Sequence, residues 1–189
     1  MARIIILVFF ILFSGSLSAQ NIKDMSSLHY TYMGPVLSMS YDKVEYKDWL
    51  GTEQGSVDMT GTSYGGGIAL QIFVENFCGD FHLKYVRNDL DFSLDLGEML
   101  LQGKYLWKIN DIISAGTGFG LYSELALSEP DHKGSAGIQL PFSAVYTGSP
   151  LWKVFGDVYI RYGSFGIGEE SSRISIGLSL GIVFRVGRI

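Results

Sequence analysis

Residues 174–186 read ISIGLSLGIVFRV, a stretch in which a large apolar side chain occupies every second position. Serine, glycine, valine and arginine lie between them. A helix would spread these apolar residues over all its faces, whereas a β-strand places them on one face and the small or polar residues on the other. The stretch is longer than the ~5–6 residues usual for a strand in a soluble protein. It therefore predicts one long strand that lies between two different environments.

Seven further segments show the same period of two, which makes eight in all. Segments of about ten residues with this alternation, separated by turn residues, are typical of transmembrane β-barrels. The predicted fold class is therefore all-β, an eight-stranded antiparallel up-and-down transmembrane β-barrel. Pro141 predicts a bulge or register slip inside its strand, and the alternation weakens after Arg87. The seven segments are residues 33–42, 64–74, 81–88, 98–109, 113–127, 136–147 and 152–162.

The connections between these segments fall into two alternating kinds. Residues 75–80, 110–111 and 148–150 are short and turn-like, whereas the intervening connections are longer or more acidic. Outer-membrane barrels have short turns on the periplasmic side and longer loops outside. We therefore expect the short connections, including Cys78, to face the periplasm.

The N-terminal residues predict export. Ten apolar residues at 4–13 follow Arg3 and precede the small residues 14–19. A basic start, a short apolar core and a small-residue cleavage region are typical of a signal peptide, and ten apolar residues are too few to span a bilayer, which needs about 20. We predict a cleaved signal peptide at residues 1–19 and a single barrel domain at residues 20–189, located in the bacterial outer membrane.

Composition excludes other classes of protein. Nineteen acidic residues against 14 basic ones give a net charge of −5, which argues against a nucleic-acid partner. One cysteine excludes an intrachain disulfide framework. The aromatic content of 14% is too high for a disordered chain.

The predicted orientation sorts the outward aromatic residues into two rings. Amphipathic rings of this kind collect at the two interfaces of a bilayer. The predicted aromatic girdle comprises Phe81, Tyr105, Trp107, Tyr146, Trp152 and Phe184 near the periplasmic rim, and Tyr41, Tyr64 and Tyr162 near the outer rim.

With these features, residues 30–187 resemble the small eight-stranded outer-membrane barrels, the group of the OmpA transmembrane domain, OmpX and OmpW. The resemblance is one of architecture and carries no diagnostic motif. It implies outer-membrane lipid as surroundings, delivery by periplasmic chaperones and barrel-assembly machinery, and a monomer.

The inward positions carry charges, and an eight-stranded barrel is just wide enough for side chains to fill it. Charges in so narrow a space must be paired or hydrated. By height we expect Glu98 to pair with Arg161, and Asp157 with Lys104 or Lys84. The network is either a static polar plug or a gate in which a broken pair opens a water path. The predicted lumen charge network is Asp42, Lys84, Glu98, Lys104, Asp157 and Arg161, with Lys108, Lys153 and Arg185 on the same parity.

Catalytic signals are weak, and no catalytic, cofactor-binding or metal-binding residue is predicted. His82 lies two residues from Lys84, with no serine at that spacing, while His132 precedes Ser135 in a loop. Three scattered histidines do not make a nucleophile–base–orienter arrangement. Asp89, Asp91 and Asp95 lack the glycine and terminal glutamate of a calcium loop.

The predicted function is that of a non-enzymatic integral outer-membrane barrel with a structural, surface-interaction or narrow, porin-like pore role. One alternative is a barrel enzyme that modifies outer-membrane lipid through His82 or His132. The other is a soluble exported barrel that binds an apolar ligand. In such a barrel, the alternating apolar residues would face the lumen.

Overall fold

A computed structural model describes residues 30–46, 57–90, 93–127, 135–164 and 171–188. The predicted signal peptide, His29, His132 and most acidic residues of the long connections lie outside the described residues. Within the described ranges, no helix is long and apolar enough to cross a membrane.

Eight antiparallel strands follow one another around a closed barrel, and the last strand pairs with the first. This architecture confirms the predicted eight-stranded up-and-down β-barrel. In chain order the strands are β1 (Tyr30–Tyr46), β2 (Val57–Val74), β3 (Phe77–Asp89), β4 (Ser93–Lys108), β5 (Ile113–Ala126), β6 (Ser135–Ser149), β7 (Trp152–Ser164) and β8 (Ser171–Arg188). We call the end with the short connections the turn end and the opposite end the loop end.

The alternation in the sequence sets which side chains face out. Leu37 is 69% exposed and Ile176 is 59% exposed, whereas Val36 and Ser175 beside them are buried at 1% each. Most of the large apolar residues of all eight strands lie on the outside in this way. The alternative of a soluble barrel is therefore wrong. Such a barrel would bury these alternating apolar residues around its lumen, whereas here they are exposed on the outside.

The strands are strongly tilted around the barrel. Following paired residues from Gly34 through all eight strands leads back to Val44 in β1, an offset of ten residues. Eight strands with an offset of eight tilt by ~36°, so an offset of ten corresponds to a tilt of roughly 42°. This tilt brings residues that are far apart in sequence to the same height in the lumen.

The bulge or register slip predicted at Pro141 is wrong. β5 and β6 keep one register on both sides of the proline, although pairing lapses between Thr117–Phe142 and Gly120–Gln139. The missing N–H removes a ladder bond without displacing the strand. The Thr117 hydroxyl instead donates to the Pro141 carbonyl at 2.8 Å.

Two expectations for β3 also need correction. The alternation persists beyond Arg87, because Val86 and Asn88 are both buried inside the barrel. The preceding turn contains only Glu75 and Asn76, since β3 already begins at Phe77. Cys78 is therefore a buried strand residue that faces the lumen, not a turn residue exposed to the periplasm.

Apolar side chains pack inside the barrel near both ends. They form two groups, separated along the barrel axis by polar residues. The turn-end apolar cluster comprises Tyr32, Val36, Ala69, Cys78, Leu106, Val145, Phe155 and Val183. The loop-end apolar cluster comprises Val44, Val86, Leu94 and Leu96.

Candidate functional site: the charged lumen

Two groups of charged side chains lie between the apolar clusters, and none of them is more than 3% exposed. All of them occupy inward positions of the period-two alternation, which is why strand formation alone brings them into the lumen. The upper cluster, nearer the loop end, is Asp42, Lys84, Glu98, Glu124, Arg161 and Arg173. The lower cluster, nearer the turn end, is Asp80, His82, Lys104 and Asp157.

Glu98 is the centre of one half of the upper cluster. Arg161 meets it with two parallel bonds, Nη1 to Oε2 at 2.7 Å and Nη2 to Oε1 at 2.8 Å. Lys84 Nζ lies 2.7 Å from Glu98 Oε1. The structure thus brings together Glu98 and Arg161, the pair expected from their heights. Forked arginine–carboxylate bonds of this kind fix direction as well as distance.

Arg173 organises the other half of the upper cluster. Its Nη2 lies 2.9 Å from Asp42 Oδ1 and its Nη1 lies 2.7 Å from Glu124 Oε2. The Ser63 hydroxyl also donates to Asp42. Glu124 Oε1 is 3.7 Å from Arg161 Nη1, which links the two halves. Three carboxylates therefore face three cations, and the upper cluster is balanced in charge.

Two aromatic rings contact the Arg161 guanidinium. Its central carbon lies 4.6 Å from the centroid of the Tyr159 ring and 4.8 Å from that of Tyr122. Contacts of a guanidinium with ring faces are attractive and strengthen when water is excluded. Arg161 is thus fixed by rings as well as by Glu98.

The lower cluster is built around Lys104. Its Nζ lies 2.7 Å from Asp80 Oδ2 and 2.9 Å from Asp157 Oδ2. The Gln102 amide donates to the same two oxygens at 3.0 and 3.2 Å. Of the two bases expected for Asp157, the structure places Lys104 beside it, whereas Lys84 contacts Glu98 in the upper cluster.

His82 lies beside Asp80 in the lower cluster, with its Nε2 2.8 Å from Asp80 Oδ1. Its Nδ1 has no partner among the described residues. Among the residues that the structure describes, no serine hydroxyl is hydrogen-bonded to the imidazole. Ser135, the serine considered beside His132, donates instead to Glu124 at 2.7 Å. Across the described ranges, no group of three or more His, Cys, Asp or Glu side chains could hold a metal ion.

Three members of the network were missed in the sequence. Asp80 was assigned to a turn and Arg173 lay at the edge of a predicted loop, so neither was counted as inward. Glu124 shares the parity of Tyr122, and that signal was sufficient to find it. Longer strand boundaries would have recovered Asp80 and Arg173.

The other charges on the inward parity lie outside both clusters. Lys108 is exposed at the end of β4. Lys153 is half-buried at the turn end, with Nζ 4.8 Å from the Phe73 ring centroid and 2.9 Å from the Thr147 hydroxyl. Arg185 is exposed and its guanidinium lies over the Tyr30 ring at 5.0 Å. These residues are too near the barrel end to enter the network.

The outward tyrosines and tryptophans lie towards the two ends of the barrel. At the turn end, the Tyr105 and Trp107 ring centroids are 5.2 Å apart and those of Tyr146 and Trp152 are 5.9 Å apart. Phe184 also lies at the turn end, since it pairs with Trp152. The girdle residues of the loop end are Tyr41, Tyr64 and Tyr162, with Tyr85, which the sequence analysis missed.

One girdle residue belongs elsewhere. Phe81 lies four residues inside the end of β3, where its cross-strand neighbours are Leu70 and Leu101. It therefore lies within the apolar belt, not at the rim. Along β7, Trp152 and Tyr162 are ten residues apart. At ~3.3 Å per residue and a tilt of roughly 42°, the two rings are about 24 Å apart along the barrel axis.

No protein-family model matches the chain, and the search of curated proteins finds no match either. Among solved structures, Neisserial surface protein A is 16% identical and covers 82% of this chain and 97% of its own, with a TM-score of 0.49. OprG from Pseudomonas aeruginosa is 10% identical over 83% of this chain and 96% of its own, with a TM-score of 0.42. Ail of Yersinia pestis is 11% identical over 83% of this chain and 99% of its own, with a TM-score of 0.38.

Proposed function

We propose that this protein is an integral barrel of the bacterial outer membrane whose lumen is closed to solutes, with a structural or surface-interaction role. The observation that carries the proposal is the outer face. Its exposed apolar residues lie between two aromatic rings about 24 Å apart, and outer-membrane barrels carry an apolar band about 25 Å tall between two such girdles. Water would not solvate a continuous surface of this kind.

The contents of the lumen support closure. Any solute would have to pass the turn-end apolar cluster, two charged clusters and the loop-end apolar cluster in turn. Hydrophobic constrictions stop ions by excluding water. The bonds of Arg161 and Arg173 across the barrel fill the space between the constrictions. We therefore favour the static plug over the gate and the narrow pore.

The orientation follows from the connections. The turn end faces the periplasm and the loop end faces outside, as in other barrels with short and long connections. The long connecting segments carry acidic residues, including Asp48, Glu53, Glu129 and Asp131. Such a surface attracts cations or a basic partner. The proposal includes export through the signal peptide, assembly by the barrel-assembly machinery as a monomer, and no enzymatic activity.

Fractionation and conductance test the proposal together. The protein should remain with the membrane fraction and migrate faster on detergent gels when it is not heated, because the closed sheet stays folded. In planar bilayers, the refolded protein should give no current above that of lipid alone. Release with the soluble periplasmic fraction would refute the membrane location, and steady single-channel steps would refute the closed lumen.

A matched pair of variants separates the barriers. Glu98→Gln breaks the upper cluster but leaves both apolar clusters, so it should not conduct. Phe155→Ala combined with Leu106→Ala thins the turn-end apolar cluster and leaves the upper cluster intact. If either variant alone opens a steady current, that barrier is the gate and the plug interpretation fails.

A further inference from the structure

The basic residues at the turn end differ from those of the lumen in their partners. Every lysine and arginine of the two charged clusters contacts at least one carboxylate. At the turn end, by contrast, Lys108, Lys153 and Arg185 form no ion pair with any residue that the structure describes. An arginine keeps its charge at any physiological pH. The charge of Arg185 is therefore available to an anionic ligand.

A β-bulge places Arg185 at the rim of the barrel. Between Arg185 and Gly187, β8 has one residue more than β1, so Val186 has no partner in the neighbouring strand. Val183 is fully buried, as the alternation requires, but residues 184–187 are all exposed. Bulges at the rims of barrels re-aim side chains in this way. Arg185 is therefore turned out of the lumen, although it occupies an inward position of the alternation.

The bulge borders a pocket of about 380 Å³, which is lined by Tyr30 of β1 and by Arg185, Val186 and Gly187 of β8. The central carbon of the Arg185 guanidinium lies 5.0 Å from the centroid of the Tyr30 ring, a contact that leaves its charge uncompensated. A Cβ atom on Gly187 would meet no atom within 4 Å, so the pocket is open beside it. The volume falls within the ~300–1,000 Å³ of small-molecule sites.

The place of the pocket at the edge of the apolar belt favours a lipid as the ligand. Phe184 and Val186, on either side of Arg185, are apolar and 49% and 55% exposed. A headgroup at this level would lie beside Arg185 while its acyl chains contact the apolar outer face. Arginine binds phosphate oxygens through two parallel N–H bonds, and basic pockets between membrane-spanning segments bind anionic headgroups.

We propose, given the membrane location and orientation proposed above, that this pocket binds the phosphodiester of an anionic phospholipid in the periplasmic leaflet. The Arg185 guanidinium supplies the positive charge, the Tyr30 ring forms one wall, and Gly187 leaves space for the headgroup. A zwitterionic headgroup carries a cation close to its phosphate, and that cation would be repelled by Arg185. The pocket should therefore distinguish phosphatidylglycerol from phosphatidylcholine.

Native mass spectrometry of the protein refolded in detergent micelles tests this selectivity. The lipid-bound fraction is measured with equal amounts of phosphatidylglycerol and phosphatidylcholine of the same chain length. The wild type should prefer phosphatidylglycerol by about five-fold, the factor that one basic residue near an anionic surface contributes. Arg185→Gln should bind the two lipids equally. Gly187→Leu keeps the guanidinium but fills the pocket, so it should lose the preference as well.

Lys108→Gln is the matched control. Lys108 is an exposed cation at the same end of the barrel, on β4, four strands away from β8. This variant should keep the preference, and an equal loss in Lys108→Gln and Arg185→Gln would overturn the pocket, because net charge alone would then attract the lipid. Displacement of the lipid by inorganic phosphate would overturn the lipid as the ligand. A wild type that shows the heat-dependent gel shift of a folded barrel but binds both lipids equally refutes this site alone, since fractionation tests the membrane location separately.

Discussion

The outer face and the lumen are made by the same eight strands, yet they have opposite chemistry. On β8, Ile176 and Leu180 are more than half exposed, whereas Ser175 and Ser179, the residues directly before them, are buried beside the charged clusters. Between the two aromatic rings the outer face is largely apolar and needs no particular partner. The lumen is polar, and the ion pairs of each cluster connect specific strands. The stability of the outer face therefore depends on the lipid around it, whereas the ion pairs of the lumen depend on the register of the strands.

This difference predicts which changes the barrel tolerates. Any apolar residue of suitable size satisfies the outer face, since lipid adapts to its shape. A lumen charge cannot be replaced without leaving its partners unpaired, because these side chains are at most 3% exposed. Substitutions on the two faces should consequently destabilise the barrel for different reasons: on the outer face by placing a polar group in lipid, and in the lumen by leaving a buried charge without its partner.

The largest effect is expected for Glu98→Gln. The change removes the carboxylate that pairs with both Arg161 and Lys84 and leaves two buried cations with too few partners. Removing one member of a buried pair costs about 3–5 kcal/mol. The free energy of unfolding in urea, measured in lipid vesicles, checks this value.

Asp89→Asn is the matched control on an exposed pair. Arg87 Nε lies 3.4 Å from Asp89 Oδ1, and both side chains are about two-fifths exposed (42% and 41%). Exposed pairs contribute at most about 1 kcal/mol. Equal losses for the two variants would contradict the claim that burial makes the pairs of the lumen network costly to break.

A smaller effect is expected when a charge is placed on the outer face. Leu180 lies midway along β8 and is 52% exposed. Leu180→Arg should destabilise the barrel by about 2–4 kcal/mol in bilayers, the range for arginine at the midplane. Ile174→Arg, on the same face but near the loop end, should lose only about 0–1 kcal/mol. If the two variants lose equally, the apolar belt does not lie across a bilayer.

The smallest effect is expected for Pro141→Ala, which restores the missing ladder donor between β5 and β6. One hydrogen bond contributes about 0.5–1.5 kcal/mol, and the loss of the proline ring opposes it by about 0.4–1 kcal/mol. The net change in the free energy of unfolding should stay below about 1 kcal/mol. Hydrogen exchange should show the new amide at position 141 to be protected. Rapid exchange there would mean that the strands are apart at this point.

The sequence predicts the faces of this barrel better than its network. Parity follows from a period of two, so Ile174, Leu180 and Glu98 could each be placed on a face without coordinates. Pairing in the lumen depends on register around eight strands, which is set by where each turn begins. Asp80 was misplaced because the β2–β3 turn is two residues long, not six. Because Asp80 is one of the two carboxylates that contact Lys104, the charge of the lower cluster could not be predicted from the sequence.

The central claim is that alternate residues face lipid and lumen, and a cysteine scan along β8 tests it most directly. Single cysteines would be placed at positions 174–184 in a Cys78→Ala background, spin-labelled and refolded into vesicles. We predict that labels at even positions are accessible to lipid-dissolved oxygen and that labels at odd positions are shielded, with a period of two over the whole strand. Oxygen access at the odd positions, or access without alternation, would contradict the account.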